Sequence, residues 1–106
     1  MQRYRSHTTK EPIGFVYIMT NISRTTLYIG VTRDLKIRVQ QHRDSKNQDS
    51  FTSKYNCVNL VYFEKFNDIE NAIKREKKIK TWKREWKDDL IKKENPKFYD
   101  LAIDWN

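Results

Sequence analysis

Five side chains in this sequence could concentrate titratable chemistry at one place, with an oxygen ligand for a divalent cation among them: Tyr17, Tyr28, Arg38, His42 and Glu76. Glu76 breaks its surroundings most clearly. Ile69, Ala72 and Ile73 set the inward face of a predicted helix, and Glu76 falls at the centre of that face. A carboxylate directed into a core is costly unless it is paired or binds a cation. Two readings follow: Glu76 is neutralised by a nearby Lys or Arg, or it is an oxygen ligand for a hard ion such as Mg²⁺. Arg38 and His42 lie one helical turn apart on a stripe shared with Leu35 and Val39, so two cationic-capable groups face inward. Alone, such a pair is an ordinary half-buried contact, and strand tyrosines are ordinary core residues. The informative expectation is convergence, with all five projecting from different elements toward one sheet face.

The elements that must position them are legible from pattern. GFVYIMT and TLYIGVT are rich in β-branched and aromatic residues and predict a β-hairpin about a loop at Asn21–Arg24. Strand alternation puts Phe15, Tyr17 and Met19 on one face and Val16 and Ile18 on the other. In the second strand Leu27, Ile29 and Val31 share a face, opposite Tyr28, Gly30 and Thr32. A four-residue loop would set Tyr17 directly opposite Tyr28. Thr32 or Asp34 is suited to cap a helix running to about Arg43. VNLVYFEKF predicts a third strand, with Leu60, Tyr62 and Phe66 opposed by Val61 and Phe63. A helix capped by Asn67 or Asp68 follows, then another over about Arg84–Lys93, stopped by Asn95-Pro96. The order β-β-α-β-α-α implies an α+β fold, a three-stranded, mainly antiparallel sheet flanked by helices. Residues 1–12 read as a flexible basic arm, and 13–106 as one domain.

The chain has 106 residues, 22 Lys+Arg and 14 Asp+Glu, a net charge of +8. From Lys74 to Lys93 there are ten basic and four acidic residues, so +6 of the +8 lies in that stretch. Clustered positive charge interleaved with Trp82 and Trp86 suits a phosphate-backbone partner; the bland alternative is a solvated helix face. No apolar run approaches the roughly 20 residues that span a bilayer, and no secretory signal pattern opens the sequence. A cytoplasmic location is expected. The lone Cys57 is read as a small buried apolar residue.

At these residues the sequence resembles the GIY-YIG nuclease superfamily, in particular its small stand-alone bacterial members. Val16-Tyr17-Ile18 and Tyr28-Ile29-Gly30 match the paired strand motif, and Arg38 and His42 match its Arg-x-x-x-His. Glu76, within AIKREKKIKTW, falls at the metal-ligand position. The first motif departs from Gly-Ile-Tyr, reading Phe-Val-Tyr with only the tyrosine kept. The resemblance implies a metal-dependent DNA endonuclease that hydrolyses one strand per site with one Mg²⁺ or Mn²⁺. Tyr17 would be general base or water-positioning group, its pKa lowered by Arg38, the metal and His42, and Tyr28 would hydrogen-bond at the phosphate or the metal-bound water. Arg38 would grip the phosphate, Glu76 would anchor the ion, Gly30 would allow close packing, and Asn95 would line the site. Lys74, Lys78, Lys80, Lys83 and Arg84 would contact the DNA backbone. Recognition of DNA structure, or a specificity-providing protein partner, is expected rather than a long sequence. The alternative is a catalytically inactive nucleic-acid-binding module; a third reading makes Trp82 and Trp86 anchors for a protein partner.

Overall fold

The computed structural model describes residues 13–44 and 55–105; the N-terminal arm and most of the polar stretch before the third strand lie outside them. Six elements follow in the predicted order: β1 (Gly14–Thr20), β2 (Leu27–Thr32), α1 (Leu35–Asp44), β3 (Asn59–Phe66), α2 (Ile69–Lys80) and α3 (Arg84–Glu94). The strands form one antiparallel sheet in the order β2-β1-β3. No helix among the described residues is long and apolar enough to cross a membrane.

The β1–β2 turn differs from expectation, and its cause is Asn21. Its side-chain Oδ1 accepts from the backbone amides of Thr25 (2.9 Å) and Thr26 (3.1 Å), and its Nδ2 donates to Thr25 Oγ1 (2.7 Å). Those amides are withdrawn from the strand ladder, so six residues connect the strands rather than four. The register moves by two: Tyr17 pairs with Gly30, and Tyr28 pairs with Met19. Because side chains alternate with period two, a shift of two preserves the faces.

β3 shows a shift of odd size. Ile18 pairs with Tyr62 but Met19 pairs with Leu60, leaving Val61 as the extra residue of a β-bulge. Tyr62 and Phe66 lie on the predicted face and Phe63 on the other, but Leu60 and Val61 are exchanged. Leu60 packs with Tyr17 and Met19, and Val61 with Ile18.

The two faces carry separate cores. On one, Val16, Ile18 and Ile29 meet Ala72 and Ile79 of α2 and Ile91 of α3. Gly14 allows that approach: a Cβ there would stand 3.0 Å from Ala72 Cβ and 3.1 Å from the Asp68 carbonyl. Asp68 caps α2 by accepting from Asn71 N at 2.7 Å. On the other face, Tyr17, Met19 and Leu60 meet Leu35 and Val39 of α1, with the buried Cys57 and Ala102. Asp34 caps α1, accepting from Ile37 N at 3.1 Å, and Thr32 Oγ1 accepts from Asp34 N in the preceding turn.

The far end of α1 is held by a clamp. Arg43 donates to the carbonyls of Val58 (3.2 Å) and Ala102 (3.0 Å) and pairs with Asp100. The other oxygen of Asp100 accepts from the backbone amides of Leu60 (3.0 Å) and Ala102 (3.1 Å).

Candidate active site

Tyr17 and Tyr28 come from neighbouring strands, Arg38 and His42 from the α1 stripe, and all four meet on the α1 face of the sheet. The Tyr17 hydroxyl lies 2.9 Å from His42 Nε2. The rings form a triangle, with centroids 6.1 Å apart for Tyr17–Tyr28, 5.6 Å for Tyr17–His42 and 5.4 Å for Tyr28–His42. Arg38, held by its Nε bond to Gln41 Oε1 (3.1 Å), stands close enough to the Tyr17 oxygen to influence its ionisation.

Gly30 is what lets the triangle close. A Cβ at that position would lie 2.6 Å from both Cζ and the hydroxyl of Tyr17, and 2.8 Å from Tyr28 Cε2. Both phenol rings therefore fold over bare backbone.

Electrostatics divide the labour differently from expectation. Tyr17 is fully buried, and desolvation raises its pKa well above the ordinary phenol value, helped by neighbouring Tyr28. Arg38 opposes that rise without overcoming it. The lowering expected of Arg38 and His42 is thus corrected: burial outweighs these side chains, and Tyr17 stays protonated at neutral pH. His42 moves the other way, pushed down to about 4 by burial and then by the positive charge of Arg38. It is a neutral imidazole at pH 7, half-buried, and hydrogen-bonded to a phenol that can give or take the shared proton according to the tautomer.

Glu76 does not join that face. It lies between Ala72 and Ile79 on the stripe by which α2 packs on the opposite side of the sheet. The expectation of five groups on one face holds for four. Its burial was correctly anticipated, since the residue is 8% exposed. Lys80 Nζ, one turn on, pairs with Oε2 at 2.5 Å, so the neutralised reading of Glu76 is realised in part. Oε1 has no hydrogen-bond partner among the described residues.

Other expected contacts prove to be fastenings. Asn95 is buried at the end of α3; its Nδ2 donates to the carbonyls of Val61 (3.0 Å) and Tyr99 (2.9 Å), and its Oδ1 accepts from Tyr99 N (3.0 Å). Its amide is spent on backbone. Arg84 donates to the Arg24 and Thr25 carbonyls of the β1–β2 turn and to Asp88, so it ties α3 to that turn. Lys83 lies over Trp86, 5.2 Å from the ring centroid. Of the five basic residues singled out, only Lys74 and Lys78 are exposed with no partner among the described residues. Trp82 packs against the α2-side core, whereas Trp86 is 52% exposed. The Arg43–Asp100 clamp was missed: it joins residues 57 apart, beyond the reach of periodicity.

The GIY-YIG catalytic domain family matches residues 13–95, which span β1 through α3 and every group of the triangle. The chain belongs to the GIY-YIG family, and so to a nuclease superfamily whose members generally use divalent metal ions. It is 36% identical over 83 residues to a UPF0213 protein of Syntrophus aciditrophicus (strain SB), covering 78% of this chain and 93% of that one. It is 38% identical over 78 residues to a UPF0213 protein of Staphylococcus aureus (strain Mu3 / ATCC 700698), covering 74% and 93%. The fold is similar to the solution NMR structure of the UPF0213 protein BH0048 from Bacillus halodurans. That likeness has a TM-score of 0.53 at 22% identity and covers 88% of this chain and 98% of that one.

Proposed function

We propose that the protein is a metal-dependent DNA endonuclease that hydrolyses a phosphodiester, one strand per site, and recognises DNA structure rather than a long sequence. The observation that carries this reading is the Tyr17–His42 hydrogen bond, closed in by Tyr28 and flanked by Arg38. Hydrolysis needs a water stripped of a proton and an anionic transition state neutralised. Neutral His42, half-buried rather than sealed, is the base; Tyr17 fixes its ring and tautomer from behind. Arg38 offers its planar fork to the phosphate oxygens, and Tyr28, also half-buried, donates at the same phosphate.

Glu76 fits a single hard cation. Its buried carboxylate has one oxygen without a partner among the described residues, and Mg²⁺ or Mn²⁺ takes one or two protein carboxylates with water and phosphate. Glu76 comes from the α2 side of the sheet, so such an ion would supply positive charge to the phosphate and the leaving oxygen around the edge strand β2, which carries Tyr28. Lys74 and Lys78 are the residues best placed for sequence-independent backbone contact.

Supercoiled plasmid and branched DNA are the substrates for the test. Wild type nicks them with Mg²⁺ or Mn²⁺ and stops with EDTA, while His42→Ala, Arg38→Ala and Glu76→Ala lose at least 100-fold yet still bind DNA. A wild type that binds DNA but is as inert as Glu76→Ala on every substrate would replace the nuclease with the non-catalytic binding module.

A further inference from the structure

Beside the triangle lies a groove of about 520 Å³ that none of the roles above uses. That volume is in the range of pockets that take small organic groups, about 300–1,000 Å³. Its floor is aromatic. Phe15 and Phe63 project from β1 and β3, and Trp105 packs edge-to-face on Phe63 with centroids 6.3 Å apart and planes at 62°. Leu35, the first residue of α1, closes one side.

The groove adjoins the reactive cluster by construction of the sheet. Phe15 shares a face with Tyr17 two residues along the strand, roughly 7 Å away. Phe63 is the cross-strand partner of Tyr17 itself. A group seated in the groove is therefore roughly 7 Å from the triangle along the strand.

The rim is cationic. Arg33, Lys36 and Lys65 line it, all exposed, and none has an ion pair or hydrogen bond among the described residues. The one acidic neighbour, Asp34, has a carboxylate oxygen committed to capping α1. An apolar protein side chain would use the floor and leave three cations idle, whereas a free anion would use the rim and leave three aromatic rings idle. A nucleobase on a phosphodiester chain uses both, because stacking on aromatics combined with a positive track is how unpaired strands are held.

We propose that this groove is a subsite for one unpaired nucleotide of a DNA strand, its base against Trp105 and Phe63 and its phosphates at Arg33, Lys36 and Lys65. The proposal rests on DNA being the substrate, and it narrows that substrate to DNA with an unpaired nucleotide next to the cut.

The test is fluorescence anisotropy in EDTA, with a labelled thymidine hexanucleotide and a blunt duplex of about twelve base pairs, long enough to stay paired. Wild type binds the hexanucleotide at least tenfold more tightly than the duplex, and the Trp105 indole N–H signal shifts on titration in an NMR spectrum. Trp105→Ala weakens the hexanucleotide about tenfold and leaves the duplex within twofold. Arg33→Gln and Lys65→Gln, which remove no side-chain hydrogen bond or ion pair among the described residues, each weaken the hexanucleotide several-fold. Each also lowers the slope of log affinity against log salt by about 0.7. These two keep the test decisive should Trp105→Ala misfold. The proposal is overturned if these variants bind the hexanucleotide as wild type does. It is overturned equally if the duplex binds as tightly, or if thymidine monophosphate alone binds as tightly as the hexanucleotide. A protein that binds the hexanucleotide here but never cuts DNA refutes the nuclease and leaves the groove standing. One that nicks normally with all groove variants unchanged refutes the groove alone.

Discussion

Replacing Gly30 by alanine adds a single methyl group at the most crowded point of the site. The new carbon would lie 2.6 Å from Tyr17 Cζ and from its hydroxyl, against an optimal carbon–carbon separation of about 3.5–4.0 Å. Roughly 1 Å must be found. Tyr17 has little room to give it, being fully buried, bonded to His42 at 2.9 Å and backed by Phe63 across the strand. Overpacking of this kind costs about 1–3 kcal/mol, which for a domain of this size is a fall in Tm of roughly 5–20 °C. Because the displaced atom holds the proposed base, a shift near 1 Å costs on the order of 100-fold in rate. Single-turnover nicking and thermal unfolding, measured on the same preparation, read both effects. The double variant Gly30→Ala/Tyr17→Phe recovers part of the Tm, because one of the two 2.6 Å contacts is gone, and recovers none of the rate. Wild-type rate and Tm in Gly30→Ala would refute the claim that the bare backbone at residue 30 sets the triangle.

Three other outcomes follow from the geometry. The nicking rate keeps its base form down toward pH 4 rather than failing near 6.5, and an NMR titration of the His42 ring gives the same midpoint. The folded pKa is depressed, so the unfolded chain binds the extra proton. Stability is therefore complete above about pH 6.5 and is lost as pH falls toward 4, by about 1–2 kcal/mol once partial exposure is discounted. Asn95→Ala removes three bonds to backbone and lowers stability by about 2–3 kcal/mol, while the folded fraction binds DNA with unchanged affinity; a specific loss of DNA affinity in chemical-denaturation-matched samples would restore Asn95 to the site. Lys78→Ala lowers the salt dependence of duplex binding by about one phosphate and Arg84→Ala leaves it unchanged, because Arg84 is spent on the β1–β2 turn.

Much of this architecture is written in alternation and capping. The faces of β1 and β2 follow from period two, and they hold even though the turn length differs, because the error in register is even. Val61 defeats the same rule because a bulge is an odd insertion and nothing in VNLVYFEKF announces it. The stripe of Arg38 and His42 is legible because α1 is regular and capped where Asp34 stands. Glu76 is legible as buried but not as to which side of the sheet its helix covers, since a helical wheel gives a face and no partner. The protonation states could not be read at all. Neighbouring charge is visible in a sequence, whereas the burial that dominates Tyr17 and His42 arises only when the sheet and α1 close over them.

The clamp at Asp100 has a kinetic meaning. The hairpin and α1 bring Tyr17, Tyr28 and His42 together across at most 25 residues, whereas Asp100 must return across 40 to reach Leu60 and 57 to reach Arg43. Contacts that close long loops form late, after shorter ones have paid less entropy. The triangle then assembles on an unlocked α1, and the C-terminal segment bolts it afterwards. Asp100→Ala should accordingly accelerate unfolding and leave the folding rate nearly unchanged in stopped-flow measurements, so that what Asp100 governs is how long the assembled site lasts.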